Sequence, residues 1–228
     1  MDQGPVEVSF LVIDGSSKVG DEGLLDDVER ARMADFASPE ARGRYLASHA
    51  FLRRVLSRHL GVDPVAIRYD RGCEECGHPS HGRPRLQGPP APVSFSLSHS
   101  GRHVVVALGE GPLGVDVEDT GRRPVADNVV RRCATGAEQV RLGHLAPGQR
   151  PRAFLQLWTR KEAVAKALGL GLVLPFSSFD VSGPGAVVAR DGAPALNVEN
   201  LDLDGAVGAV AVPPGATLRA SATGPHAP

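Results

Sequence analysis

The sequence predicts an α+β protein of two similar lobes, residues 1–114 and 115–228. Each lobe is expected to be a small, mostly antiparallel sheet packed on one long helix, the pair related by pseudo-twofold symmetry. Three observations carry this reading. One order of elements occurs twice, a strand, a long helix and then several strands, on either side of about residue 115. Two long segments, beginning near Ser38 and near Pro151, repeat apolar residues at helical spacing. The segments around them alternate apolar and polar residues and are broken by Gly, Asp and Pro turns.

From the N-terminus, Val6 to Ile13 alternates and then turns fully apolar, as a buried strand does. Ser38-Pro39-Glu40 is a helix start, with Ser38 as cap and Pro39 at the first helical position. Tyr45, Leu52, Val55, Leu56 and Leu60 then fall near one face, and Gly61 ends the helix. Its basic residues, Arg42, Arg44, Arg53, Arg54 and Arg58, form either a solvated face or a surface for an anion. Residues 72–92 are loop. Val93–Leu97, His103–Leu108 and Leu113–Glu118 read as three strands of an antiparallel meander. Helix is expected from about Val125 and again from Pro151 to Leu168. Strands are expected near Phe179–Val181, Ala186–Ala189, Ala206–Val212 and Thr217–Ala220.

A chain of 228 residues with 42% apolar and 22% charged residues can bury a substantial core. With 25 basic against 26 acidic residues it is unsuited to broad nucleic-acid binding, which requires neutralising many phosphates. No apolar stretch approaches the ~20 residues that span a bilayer, and the N-terminus lacks a signal-peptide pattern, so no membrane partner and a cytoplasmic location are expected. Three cysteines are too few for a disulfide framework.

Chemistry concentrates in two places. Glu162 and Lys166 stand four apart in Trp158-Thr-Arg-Lys-Glu-Ala-Val-Ala-Lys166, so they share a helix face. Asp116 and Glu118 stand two apart in a strand and point the same way. Each pair alone reads equally as a surface ion pair or as the polar face of a half-buried strand. Together, three carboxylates and an ammonium on two rigid elements suit a divalent cation and a phosphate. Trp158 reads as a core anchor for its helix.

Four segments occur in order: Gly82-Arg83-Pro84, Phe95-Ser96-Leu97-Ser98-His99-Ser100, Gly114-Val115-Asp116-Val117-Glu118, and Trp158 to Gly169. This set resembles the 4′-phosphopantetheinyl transferases, in particular the broad-specificity, surfactin-synthetase-activating type of secondary metabolism. Ser96 replaces the Asn usual there. The resemblance spans roughly residues 38–172. It implies transfer of phosphopantetheine from coenzyme A to a serine of an apo acyl or peptidyl carrier protein, with Mg²⁺, releasing 3′,5′-ADP. It implies that Asp116, Glu118 and Glu162 hold the metal, and that Lys166 and Lys161 contact phosphate. Glu162 would take the serine proton, directly or through water. Ser98, His99 and Arg83 would lie near the 3′-phosphate, and Arg44 and Arg53 near the nucleotide. A two-lobed chain implies a monomer with coenzyme A between the lobes.

One motif falls outside that set. Cys73, Cys76, His78 and His81 offer four Zn²⁺ ligands within nine residues, or else an ordered loop with reduced thiols. Cys133 reads as a small buried residue. Two other functions stay open from sequence alone: a zinc-loop interaction module, and a Mg²⁺-dependent hydrolase of nucleotide pyrophosphates.

Overall fold

The computed structural model describes residues 4–13, 21–72, 77–78, 82–88, 93–121, 127–183 and 185–222. In chain order the strands are β1 (Val6–Val12), β2 (Tyr69–Asp70), β3 (Arg85–Leu86), β4 (Val93–Ser100), β5 (His103–Glu110), β6 (Gly114–Asp119), β7 (Ala186–Val187), β8 (Leu196–Leu203), β9 (Ala206–Val212) and β10 (Leu218–Ala222). The α-helices are α1 (Asp27–Ala34), α2 (Pro39–Leu60), α3 (Asp127–Cys133), α4 (Gly136–His144) and α5 (Arg150–Leu168). The fold is α+β, as the sequence indicates.

Two four-stranded sheets organise the chain, in the orders β10-β1-β5-β4 and β6-β9-β8-β7. In β5, Val104, Val106 and Leu108 pack with Phe51, Leu52, Val55 and Leu56 of α2. The alternate residues Val105 and Ala107 join Val115, Val117, Val210 and Val212 of the second sheet. In β9, Ala209 and Ala211 turn the other way, into the cluster of Phe154, Leu157 and Val164 on α5. The layers therefore run helix, sheet, sheet, helix. A strand buried on both faces needs a continuous apolar run, which β5 and β9 have.

Local sequence sets the helix ends. Ser38 Oγ accepts from the Ala41 N–H at 3.1 Å, and Gly61 takes φ 66° at the α2 C-terminus. Gly169, at φ 70°, ends α5 in the same way. Gly114 is required for another reason. A Cβ there would lie 2.1 Å from the Ala163 carbonyl oxygen, so α5 rests directly on the start of β6. Gly114→Ala is expected to destabilise the protein by at least 1–3 kcal/mol, roughly the range for overpacking, read as a lower urea midpoint.

Four expectations are corrected. The meander stops after β5, because β6 leaves that sheet to pair with β9. The last strand, β10, returns to pair in parallel with β1, so a boundary at 114/115 separates β10 from its own sheet. Phe179–Val181 is not a strand; Phe179 ends a short 3₁₀ turn and packs in the core. Helix α1 and strand β8 were not expected. Among the described residues, no helix is long and apolar enough to cross a membrane.

Candidate active site

Strands β4 and β6 are the facing edges of the two sheets. An edge leaves backbone N–H groups without a ladder partner. Here alternate serines of β4 supply one: Ser96, Ser98 and Ser100 hydroxyls accept from the N–H groups of Val115, Val117 and Asp119 at 3.1, 3.3 and 3.1 Å. The same hydroxyls aim the acids. Ser98 donates to Asp116 Oδ1 at 2.8 Å and Ser100 to Glu118 Oε2 at 2.7 Å. Ser98 thus donates to Asp116 while accepting from Val117. Ser96, in the place of an Asn, ties the seam.

Helix α5 brings the other half. Lys166 Nζ donates to Asp116 Oδ1 at 2.7 Å and to the Val115 carbonyl at 3.1 Å. Glu162 stands one turn earlier and is half-buried. Burial pushes its carboxyl above the ordinary value of 4.5; Asp116 and Glu118 push it the same way, while Lys166 pulls it down. The four expected groups therefore act on one another electrostatically at one place.

A divalent cation can be tested against this arrangement. Asp116 Oδ2 is buried with no hydrogen-bond partner, and the charges of Asp116, Glu118 and Lys166 all reach Glu162. That donor set suits a hard cation. Among the described residues, however, no three Asp, Glu, His or Cys side chains converge closely enough to make a metal site by themselves. The expected triad of Asp116, Glu118 and Glu162 is close but not closed.

Beside this centre lies a cavity of about 370 Å³ lined by His49, Leu52, Arg83, Phe95, Leu97 and Lys166 among others. His99 is exposed at the same strand end. Partial burial lowers its pKa first, then the positive groups His49, Lys166 and Arg44, with Asp116 opposing. Arg44 is exposed on α2, so His99 and Arg44 remain available to an anion.

Two expected ligand contacts, Arg53 and Lys161, are corrected, and Arg83 has a structural task besides the expected one. Arg53 is wholly buried; it pairs with Asp26 at 2.9 Å and Glu29 at 2.7 Å and donates to the Pro64 and Ile67 carbonyls. Lys161 is also wholly buried. Its ammonium meets Glu138 at 2.7 Å and the carbonyls of Phe176 and Phe179, with the Phe179 ring centroid 4.7 Å away. Neither side chain can touch a ligand from there. Arg83 lines the cavity, but its guanidinium donates to the carbonyls of Lys166 (2.7 Å), Leu113 (3.2 Å) and Phe95 (3.3 Å). It caps the C-terminus of α5 and ties that helix to β4 and to the residue before β6. Arg83→Ala is expected to lower Tm as well as ligand affinity, by roughly 1–3 kcal/mol for the orphaned carbonyls. Weakened binding at unchanged Tm would return Arg83 to a purely ligand-contacting role.

Trp158 packs edge-on against Phe176 at 5.5 Å, as a core anchor, and Cys133 is buried. Of the cysteine–histidine motif only His78 is described, and it is exposed; Cys73, Cys76 and His81 lie outside the described residues, and zinc has no support. Sequence reading missed His49, Ser100 and Glu138. Only Glu138 carried a signal, the Thr135-x-x-Glu138 capping box.

Residues 112–197 match the family model of the 4′-phosphopantetheinyl transferase superfamily, a span holding Asp116, Glu118, Glu162 and Lys166. The chain is 31% identical over 153 residues to a 4′-phosphopantetheinyl transferase of Bacillus subtilis, covering 67% of this chain but 64% of that protein, a little under two thirds of its length. It is 32% identical over 153 residues to the 4′-phosphopantetheinyl transferase HetI of Nostoc, covering 65% and 61%. It is 30% identical over 169 residues to the 4′-phosphopantetheinyl transferase Sfp of Bacillus subtilis strain 168, covering 69% of this chain and 71% of that protein. On this last match, joined to the seam geometry, the chain belongs to the 4′-phosphopantetheinyl transferase superfamily.

Proposed function

We infer that the protein transfers 4′-phosphopantetheine from coenzyme A to a serine of an apo acyl or peptidyl carrier protein. The observation that supports this is the bond of Lys166 to Asp116 at the β4–β6 seam, within electrostatic reach of Glu162 and beside a cavity lined by residues of α2, β4 and α5. The serine oxygen attacks the phosphorus that bears pantetheine. The bond from that phosphorus to the bridging oxygen breaks, and 3′,5′-ADP leaves.

Each residue then has a task set by its surroundings. Lys166, held between the Val115 carbonyl and Asp116, places a positive charge where the leaving phosphate gains negative charge. Glu162 accepts the serine proton, directly or through water. Ser98 and Ser100 fix the two acids of β6. Asp116, Glu118 and Glu162 would hold Mg²⁺, with phosphate oxygens and water completing a shell that the protein leaves open. When bound, the ion supplies charge neutralisation on the pyrophosphate. His99 and Arg44 face the donor's remaining phosphate. The reading includes two lobes with pseudo-twofold symmetry in a cytoplasmic monomer, with no nucleic-acid or membrane partner.

The test is to incubate the protein with coenzyme A, Mg²⁺ and apo carrier domains, and to weigh the carrier by mass spectrometry. A gain of one phosphopantetheine per carrier is expected. Coenzyme A cleaved while every carrier stays unmodified would make the protein a pyrophosphate hydrolase instead.

A further inference from the structure

His49 belongs to none of the motifs above, yet the fold builds a support for it. It lies on α2 and lines the cavity that also holds Lys166 and Arg83. Its ring stacks on Tyr45, centroids 4.0 Å apart and 22° from parallel. Its Nδ1 lies 3.0 Å from Glu29 Oε1, and Glu29 is 1% exposed. Burial pushes Glu29 up, but hydrogen bonds from His49 and from the Asp26 N–H, then the Arg53 charge, bring it below the ordinary carboxylate range. It is therefore an ionised acceptor, and Nδ1 must carry the hydrogen between them. Nε2 is left at the opposite edge of the imidazole.

The charge count behind the ring matters as much. Asp26 and Glu29 are matched by Arg53 and Arg71, which pair with them at 2.7–3.6 Å. These four groups balance without His49. An imidazolium at position 49 therefore adds a positive charge that nothing behind it cancels. On the cavity side, the basic side chains of Lys166 and Arg83 line the same wall. Such a wall favours an anion with several oxygens.

We propose that His49 contacts a phosphate oxygen of the nucleotide donor in this cavity, with Glu29 as the positioning residue behind it. The proposal rests on the coenzyme A reading above and adds a residue that the family motifs do not contain. The phosphate is either the terminal 3′-phosphate or the pyrophosphate, and the experiment separates the two.

Dissociation constants for coenzyme A and dephospho-coenzyme A, which lacks the 3′-phosphate, are measured by calorimetry on the full chain. His49→Phe keeps the stack on Tyr45 and removes both nitrogens. It is expected to weaken coenzyme A by about tenfold, the scale of one charge-assisted hydrogen bond, with Tm little changed. Loss confined to coenzyme A assigns the contact to the 3′-phosphate; equal loss for both donors assigns it to the pyrophosphate. His49→Arg restores a cationic donor and is expected to recover most of the affinity. Glu29→Gln is expected to weaken binding in the parent chain but to add no further loss in the His49→Phe background. Wild-type affinity in His49→Phe, or no recovery in His49→Arg, overturns the proposal. A wild-type chain that binds neither donor fails at the earlier step, the coenzyme A reading, and overturns both.

Discussion

Lys161→Met is expected to lower stability by about 3–5 kcal/mol, the usual cost of leaving one partner of a buried ion pair uncompensated. Both partners are sealed from water, Lys161 at 0% and Glu138 at 1% side-chain exposure. Glu138 is also the meeting point of three segments. It accepts from the Thr135 N–H at 2.7 Å, from the Val181 N–H at 2.9 Å, and from Lys161. Burial lowers the Lys161 pKa, and Glu138 opposes that by hydrogen bond and charge. Without the ammonium, a carboxylate stays behind in an apolar setting. The double variant Lys161→Met/Glu138→Gln is expected to regain part of the loss, since it removes both charges. Urea midpoints of the two singles and the double decide this. A single variant as stable as wild type would show that water reaches the pair. Because Lys161 precedes Glu162 on α5, the pair also fixes the rotation of the helix that presents Glu162. Activity is therefore expected to fall with stability, without any ligand contact by Lys161.

Glu162→Gln is expected to reduce kcat by roughly 10²–10⁴-fold, the range for removing a positioned general base. It is expected at the same time to raise the Tm of the metal-free protein at neutral pH. Glu162 holds its proton more tightly in the fold than in the unfolded chain, because burial and then Asp116 and Glu118 disfavour its charge. Its contribution to stability is therefore fully present below the ordinary value of 4.5 and is lost as pH rises through the raised folded value. At neutral pH the ionised group strains the fold, and glutamine removes that strain. A pH series of Tm for wild type and Glu162→Gln should diverge as pH rises from 4 to 7, with the variant higher; parallel curves would show that Glu162 is not strained. A rise in stability joined to loss of turnover is the mark of a group kept for chemistry rather than for folding.

How much of this was legible in the sequence depended on the range of the interactions. Ser38-Pro39 and Gly61 act through backbone groups within a turn, and the ends of α2 fell where those residues put them. The apolar runs of β5 and β9 were equally plain, because burial on both faces leaves no polar position. Helix α1 had its own signal, Asp26-x-x-Glu29, a capping box that went unread beside the longer helix. Strand β8 was hidden by Asn197, Glu199, Asn200 and Asp202, and its apolar residues change face midway: Leu196 and Val198 turn to the α5 cluster, Leu201 and Leu203 to the cluster between the sheets.

The site divided in the same way. Asp116 with Glu118 and Glu162 with Lys166 were found because each pair shares a face by local periodicity. Their meeting needed the two sheet edges to join, which the serine hydroxyls of β4 accomplish 18 and 19 residues away in sequence. Arg53 and Lys161 were misjudged because a basic residue carries no local mark of burial; their partners lie 24 residues before Arg53 and 23 before Lys161. His49 carried no pattern at all. Its support, Glu29, stands 20 residues earlier on another helix.

The most direct measurement is a crystal structure of the protein with coenzyme A and Mg²⁺. The expected result places the metal on Asp116 Oδ2, now without a partner, and the donor's pyrophosphate beside Lys166 at the β4–β6 seam. Coenzyme A bound elsewhere, for instance in the larger cavity of about 510 Å³ between α4, α5 and β8, with the seam carboxylates free of metal, would contradict the account.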